Sequence, residues 1–320
     1  MNKNIFILIL IQFLFISSCT EWKIIEGDYD PASFVPRQLY RINGMGLFCG
    51  ASQGLFKVEA GKVVKIKIDV EDTKVPRAFV KKDSFLFVGY QGGGLFRSDD
   101  NGMTWIRKGE PGLQSRELWN IAAFDSLLIV VTWPRYIRLS YDNGESWEDI
   151  SEGMPEYGMG VFSGQPGMLK RGDYIYANLY NEGVFRMNLK DKIWKPVRSG
   201  LPKDYKIRGL CIKENTFFCA TEDGVYKSDD EGMNWVPSNK GNEKTMIVSF
   251  LVDKKNLYAT TNTGSVLVSS DNGKAWRVVA KGLQSAQVIY DIQKINKRLY
   301  VSADGVKKAS SGIYSMKVKK

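Results

Sequence analysis

Short apolar runs separated by polar turns fill most of the chain. An aromatic-rich run recurs seven times, and a second run follows it after a short loop that usually carries Gly. The seven first runs are Leu47–Cys49, Leu86–Val88, Leu128–Val130, Ile175–Ala177, Phe217–Cys219, Leu257–Ala259 and Leu299–Val301. Short runs rich in β-branched and aromatic residues predict strands. The pattern therefore predicts an all-β chain made of seven similar units.

A polar pattern, Ser-x-Asp-x-Gly-x-x-Trp, recurs four times between these runs. The copies are Ser98-Asp100-Gly102-Trp105, Ser140-Asp142-Gly144-Trp147, Ser228-Asp230-Gly232-Trp235 and Ser269-Asp271-Gly273-Trp276. A degenerate fifth copy ends at Trp194, so the five tryptophans are 42, 47, 41 and 41 residues apart. That spacing is the period of a four-stranded propeller blade.

Each copy has the composition of a tight hairpin. The Asp side chain can accept hydrogen bonds from the backbone N–H groups ahead of it, Gly relaxes the turn, and Trp buries a large ring against the blade. The acidic pairs Asp99-Asp100 and Asp229-Asp230 lack the alternating ligands of a calcium loop. We therefore expect a structural role for the four copies, with no metal and no cofactor.

The four copies resemble the Asp-boxes, or BNR repeats, of sialidases, sortilin-type receptors, xyloglucanases and the propellers that help assemble photosystem II. The resemblance implies that these Asp-box segments lie on the rim between the third and fourth strands of their blades, away from any active site. Together with the seven runs, it implies a seven-bladed β-propeller of four-stranded blades.

The seventh unit reaches Lys320 before a fourth strand can form. The segment Thr20–Gly27 reads like Thr104–Gly109 and Ala275–Gly282, with Trp22 at the position of the Asp-box tryptophan. We expect residues 21–27 to pair with the strand around Ile313–Val318 and to close the ring. The alternative is that residues 20–37 form a disordered tether.

The first residues have the composition of a secretory signal. Lys3 precedes an apolar run from Ile5 to Ile16, which is too short to span a membrane, and Ser17-Ser18-Cys19 follows. Small residues before a Cys resemble the bacterial lipobox. This predicts a signal peptide at residues 1–18, a lipid anchor at Cys19 and a propeller over 19–320. Since Thr20 follows the Cys, we expect the outer membrane of a Gram-negative bacterium.

The formal net charge is +10, and Lys317, Lys319 and Lys320 form the only dense basic cluster. Outside the cytoplasm a nucleic-acid partner makes little sense, so we expect none; anionic partners such as lipopolysaccharide or acidic glycans stay open. We expect a monomer.

The remaining cysteines lie in apolar runs. Cys49 and Cys219 occupy corresponding positions in units that are not neighbours, so they predict free buried thiols. A bridge between Cys211 and Cys219 is the alternative.

The chain contains no His, which removes the commonest general base and most zinc sites. Tyr40-Arg41-Ile42-Asn43 resembles the Tyr-Arg-Ile-Pro element of sialidases, whose Arg grips a substrate carboxylate, although Asn43 replaces the Pro. No spacing marks the other arginines, the Tyr with its Glu or the acidic catalyst that such an enzyme needs. We therefore expect no catalytic residues, with a glycoside hydrolase of sialidase type as the alternative.

A binding module is the better interpretation. Propeller ligands usually meet the face opposite the Asp-box rim, where the predicted loops carry aromatic residues and arginines, as recognition hot spots do. The binding candidates are Tyr90, Trp133, Arg135, Tyr136 and Tyr180, with Tyr157, Tyr205, Arg116 and Trp119 near them. Trp133–Tyr136 is the densest group, and the alternative for Trp133 is packing across its blade. A scaffold for a protein or glycan partner in the cell envelope is the expected function.

Overall fold

The structure is a computed structural model that describes residues 22–69, 74–109, 113, 117–133, 136–155, 167–204, 206–241, 244–280, 283, 288–305 and 311–318. Within these residues, 28 strands form seven four-stranded antiparallel sheets. The predicted all-β seven-bladed propeller is confirmed. The predicted signal peptide and Cys19 lie outside the described residues.

The strands follow one another blade by blade, from the inner strand to the outer strand. Blades 1 to 3 are β2–β5 (Pro36–Ile42, Gly46–Ala51, Gly54–Glu59, Lys62–Lys65), β6–β9 (Pro76–Lys82, Phe85–Tyr90, Gly94–Ser98, Ile106–Lys108) and β10–β13 (Leu118–Phe124, Leu127–Thr132, Tyr136–Ser140, Glu148–Asp149). Blades 4 to 6 are β14–β17 (Met168–Arg171, Tyr174–Leu179, Gly183–Asn188, Trp194–Pro196), β18–β21 (Ile207–Lys213, Thr216–Thr221, Gly224–Ser228, Val236–Pro237) and β22–β25 (Ile247–Val252, Leu257–Thr261, Val266–Ser269, Arg277–Ala280). Blade 7 joins β26 (Val288–Ile295), β27 (Arg298–Asp304) and β28 (Gly312–Lys317) to β1 (Lys23–Ile24).

The hydrophobic core lies between blades rather than at the centre of the ring. Seven buried clusters occur, and each one joins two neighbouring blades. Phe48 and Phe79, for example, face each other across blades 1 and 2 with ring centroids 4.8 Å apart. Since both faces of a blade are packed, its second strand is a continuous apolar run, as in β11.

The ring has two distinct faces. The hairpin after each inner strand and the Asp-box turns, which link third and fourth strands, open to the same side, which we call the box face. The loops between second and third strands and the connections between blades form the opposite side, which we call the loop face. Each inner strand therefore starts at the loop face, as β2 does at Pro36, and ends at the box face.

Tryptophans of the outer strands join successive blades. The indole Nε1 of Trp235 donates to Val197 O at 3.0 Å, and its backbone N donates to Ser199 O at 2.8 Å, both on the preceding blade. Trp276 makes the same pair of bonds to Ser238 and Lys240. These Asp-box tryptophans therefore do more than anchor their own hairpin. Trp105 differs, because its Nε1 bonds to Gly102 O of its own turn.

The N-terminal strand closes the ring as predicted. Lys23 pairs with Ser315 and Ile24 with Tyr314 in antiparallel register, so β1 supplies the fourth strand of blade 7. At this junction Val63 of blade 1 makes the bond that Trp235 and Trp276 make elsewhere, because its backbone N–H donates to Glu26 O at 2.9 Å. The tether alternative is therefore wrong for residues 22–28.

The three described cysteines, Cys49, Cys211 and Cys219, are free and buried, so the predicted thiols are confirmed and the bridge is not formed. Burial raises the pKa of all three thiols. In the described part of the chain, no helix has the length and apolar character needed to cross a bilayer.

Candidate functional site

The Asp-box segments behave as local turns. Asp230 accepts hydrogen bonds from Asn234 N at 2.9 Å, from Asn234 Nδ2 at 2.8 Å and from Ser228 Oγ at 2.7 Å. Hydrogen bonds from Ser228 and Asn234 lower the pKa of Asp230 to about 2. The pKa values of Asp100 and Asp142 are lowered to about 2 by the same kind of bonds. The hydrogen bonds that these Asp carboxylates accept therefore come from residues of the same turn.

The loop face carries a ring of β-bulges at the starts of the inner strands. Six of the seven inner strands show a register shift near their start, directly after the first residue in five of them and after the second residue, Ile289, in β26. A bulge of this kind adds one residue and re-aims its side chain. The residues at this position, which we call the bulge residues, are Arg37, Arg77, Trp119, Arg208, Val248 and Tyr290. The corresponding position of blade 4 lies outside the described residues.

Arg77 is a half-buried bulge residue held by neutral partners. Its Nε donates to Gln91 Oε1 at 3.0 Å, Nη2 donates to the same oxygen, and the guanidinium lies over the Trp119 ring at 4.9 Å. Burial and the positive charge of Arg37 lower the pKa of Arg77, against the opposing effects of Tyr40 and Glu117. Like charges in neighbouring blades disfavour each other, so this arrangement favours an anionic ligand.

Arg37 sits in the same way on an aromatic ring. Its guanidinium lies 4.8 Å from the centroid of Tyr290, the bulge residue of blade 7. The Tyr290 hydroxyl donates to Asp304 Oδ2 at 3.4 Å. Among the described residues, neither Arg37 nor Arg77 forms an ion pair with a carboxylate.

A third group on the loop face is already neutralised. The Arg208 guanidinium lies 5.3 Å from the Tyr180 ring, and its Nη2 donates to Tyr180 Oη at 3.1 Å. Glu222 accepts from the same Nη2 at 3.5 Å and pairs with Lys206 at 3.8 Å. This group can take an aromatic or polar contact, but it offers less free positive charge than the pair of Arg37 and Arg77.

Below the bulges, a buried carboxylate joins three inner strands. Asp291 accepts from Leu39 N at 2.9 Å and from Ser249 Oγ at 2.8 Å, so it connects blades 6, 7 and 1. Burial raises the pKa of Asp291 to about 7, against the opposing effect of the hydrogen bonds it accepts. The group is 1% exposed and supports the ring from beneath.

The predicted binding residues divide into several environments. Trp133 is 48% exposed on the loop face. Its backbone N–H donates to Glu117 O at 2.8 Å, and Glu117 lies two residues before Trp119. Tyr136 and Tyr180 are half-buried. Tyr90 is 1% exposed with its ring against Phe96, so it is a core residue and cannot contact a ligand directly. Arg135, Tyr157, Tyr205 and Arg116 lie outside the described residues.

Sequence reasoning missed Arg37 and Arg77. One signal was available, because Val35-Pro36-Arg37 and Val75-Pro76-Arg77 repeat the same three residues at the start of two inner strands. Pro is compatible with the first residue of a strand, and the bulge then places the following Arg at the loop-face end of that strand.

Arg41 of the sialidase-like element lies at the other end of β2, on the box face. Its Nη1 donates to Lys294 O at 3.0 Å. It borders a groove of about 440 Å³, whose lining contains one arginine, Arg41, and one carboxylate, Asp83. Arg41 lies four positions after Arg37 on β2, which corresponds to about 13 Å along the strand. The described arginines of β2 therefore do not converge on one substrate carboxylate.

Comparison with known proteins supports the fold. Residues 173–288 match the family described as DUF6242 beta propeller domain. None of the curated proteins matches the chain. YCF48 from Cyanidioschyzon merolae superposes with a TM-score of 0.66 at 15% identity, covering 93% of this chain and 98% of that one.

Two further solved structures are similar. YCF48 bound to D1 peptide has a TM-score of 0.70 at 12% identity, covering 93% of this chain and 98% of that one. The extracellular domain of the hybrid two-component system BT4673 from B. thetaiotaomicron has a TM-score of 0.72 at 13% identity, covering 94% of this chain and 40% of that one. At these identities the likeness concerns the fold.

Proposed function

We propose that this propeller is a non-catalytic binding and scaffold module of the cell envelope, and that its loop face takes a protein or glycan partner. The observation that carries the proposal is the ring of bulges. A register shift repeated near the start of six inner strands places three arginines and two aromatic residues at the loop-face ends of those strands. Arginines and aromatic residues dominate recognition hot spots.

The chemistry of the bulge residues favours an acidic group on the partner. The charge of Arg37 acts against that of Arg77, the charge of Glu117 partly offsets this effect, and neither arginine forms an ion pair among the described residues. A guanidinium binds a carboxylate through two parallel hydrogen bonds, and an aromatic ring beneath it fixes its plane. A carboxylate of an acidic peptide or of an acidic sugar therefore suits this pair.

Two observations support a binding role over catalysis. The chain has no His, and the described residues contain no group of three or more potential metal ligands. Among the similar solved propellers, one is bound to a peptide and another is the extracellular domain of a signalling protein.

The place of action that we propose follows from the N-terminal sequence. A signal peptide over residues 1–18 and an acylated Cys19 would anchor the module to the envelope, in the outer membrane of a Gram-negative bacterium. Metabolic labelling with an alkyne fatty acid should label the protein, and Cys19→Ser should abolish the label. A labelled Cys19→Ser variant would contradict the anchor.

The loop-face proposal is tested by in-cell crosslinking and mass spectrometry. In the double variant Arg37→Ala with Arg77→Ala, the amount of crosslinked partner should fall at least about tenfold, as expected for the loss of two central contacts. The matched control removes two arginines from outer strands, Arg107→Ala with Arg277→Ala, and should keep the partner. Equal partner recovery from both double variants would contradict the proposal, and turnover of a fluorogenic sialoside would favour the hydrolase instead.

A further inference from the structure

The chain enters the propeller on the box face. Third strands end at this face, since the Asp-box turns follow them, and β28 is the third strand of blade 7. Because β1 is antiparallel to β28, it starts where β28 ends, and Trp22 and Val318 both pack against the core cluster of blades 6 and 7. Residues that precede Trp22 in the sequence therefore join the molecule at the box face of blade 7.

Exposed cations lie on the box face of blade 7 and of the neighbouring blade 6. They lie on the inner hairpins of blades 6 and 7, on one Asp-box turn and at the ends of β1 and β28. We call them the basic sector: Lys23, Lys254, Lys255, Lys274, Lys297, Arg298 and Lys317. Among the described residues, the two carboxylates of these blades on this face are already engaged. Asp253 pairs with Lys294, and Asp271 accepts hydrogen bonds within its own turn.

Two of these cations occupy paired positions on neighbouring strands. Arg298 and Lys317 are directly opposite in the pairing of β27 with β28. Like charges at directly opposite positions destabilise a sheet. The Arg298 guanidinium has one neutral partner, Ser315 Oγ at 3.2 Å. Within the described residues, neither Arg298 nor Lys317 makes an ion pair. An anion that bridges both would relieve the repulsion.

We propose that the basic sector rests on an anionic phospholipid surface, with headgroup phosphates between Arg298 and Lys317. This inference rests on the proposed anchor at Cys19. Three residue steps separate Cys19 from Trp22, a reach of about 10 Å, which is about one Debye length at physiological salt. Lipid acylation combined with a polybasic patch gives firmer membrane attachment than either alone.

This attachment leaves the loop face free. The bulge residues start the inner strands at the end of the ring opposite to the basic sector. Blade 7 therefore presents its box-face end to the membrane while Tyr290 and Arg37 point away from it. Anchoring and partner binding use opposite faces and do not compete.

The test uses the chain from residue 20 onward, which contains all described strands but no acyl group, so the sector is assayed separately from the anchor. Sedimentation is measured with vesicles of phosphatidylcholine alone and of phosphatidylcholine mixed equally with phosphatidylglycerol. We expect binding to the anionic vesicles only, and release by added salt. Binding to neither vesicle would overturn the proposal.

The variants locate the surface. Lys297→Glu with Arg298→Glu and Lys317→Glu should weaken vesicle binding at least about tenfold. The control carries the same charge change in loop-face connections, Lys74→Glu with Lys203→Glu and Lys244→Glu, and should bind like the parent. If the Glu variant melts early, the corresponding triple Gln variant replaces it.

Equal vesicle binding by the basic-sector variant and its control would overturn the proposal. Binding of the parent protein to polygalacturonate, an acidic glycan, instead of to the anionic vesicles would also overturn it, because the sector would then be a glycan site. This test is independent of the proposed function. If the crosslinked partner depends on Arg37 and Arg77 but the protein does not bind vesicles, the scaffold role is retained and only this inference fails.

Discussion

Asp230 sits at the centre of its turn, and its hydrogen bonds are all local. Asp230→Ala leaves the Asn234 N–H without its partner, so we expect it to cost about 1 kcal/mol or more of unfolding free energy. Urea titration measures the change. Asp173→Ala removes a carboxylate that is exposed in another hairpin and should be nearly silent. Loss of partner binding by folded Asp230→Ala would contradict the structural role.

Asp291 predicts a pH dependence of stability with a definite sign. Its folded pKa of about 7 lies above the ordinary 3.8. The contribution of this group to stability is therefore fully present below 3.8 and is lost as the pH rises through about 7, with a slope of up to about 1.4 kcal/mol per pH unit. The Asp-box carboxylates, with pKa values lowered to about 2, act in the opposite direction and below pH 3.8.

Urea titrations across this pH range should show the decline in the parent. Asp291→Asn cannot ionise, so its stability should change less between 3.8 and about 7, although it starts lower because its amide Nδ2 cannot accept the bond from Leu39 N. Parallel pH profiles for the parent and the variant would show that Asp291 is not the titrating group.

At the scale of elements, glycines let one blade approach the next. A Cβ at Gly200 would lie 2.1 Å from Trp235 O, and the residue has a φ of +86°. Gly200→Ala should therefore cost about 3 kcal/mol or more. Gly172 has a φ of +56° but no atom within 4 Å of its Cβ position, so Gly172→Ala should cost only about 1 kcal/mol. Equal melting temperatures for the two variants would contradict the claim that Gly200 is needed for the close contact with Trp235.

These elements differ in how far the sequence predicts them. The turns are predictable because each depends on residues within eight positions, from Ser228 to Trp235 for example. Ring closure is predictable because Trp22 repeats the local pattern of the other outer strands. The bulges are not, because a register shift leaves no shared residue type: Arg37, Trp119 and Val248 occupy one structural position. Tyr90 was mispredicted because a loop-adjacent aromatic residue can turn inward as easily as outward.

For the whole molecule, stability depends on closing the ring. Deleting residues 20–28 removes β1 and its bonds to Ile313 and Val63, and it exposes the edge of β28. We expect a loss of several kcal/mol and a tendency to aggregate, since an unpaired edge can template pairing with another chain. Removing Lys319 and Lys320 should be nearly silent. A chain starting at Asp30 that stays monomeric and melts like the parent would contradict closure by β1.

The most direct test of the central claim, that the loop face binds the partner, is site-specific photocrosslinking in cells. A photoreactive residue replaces Trp133, which is 48% exposed on the loop face, or Tyr141, which is 52% exposed on the box face. We predict one partner adduct at Trp133, lost when Arg37→Ala and Arg77→Ala are added, and no such adduct at Tyr141. The same adduct formed at Tyr141, or formed at Trp133 regardless of the two arginines, would contradict the account.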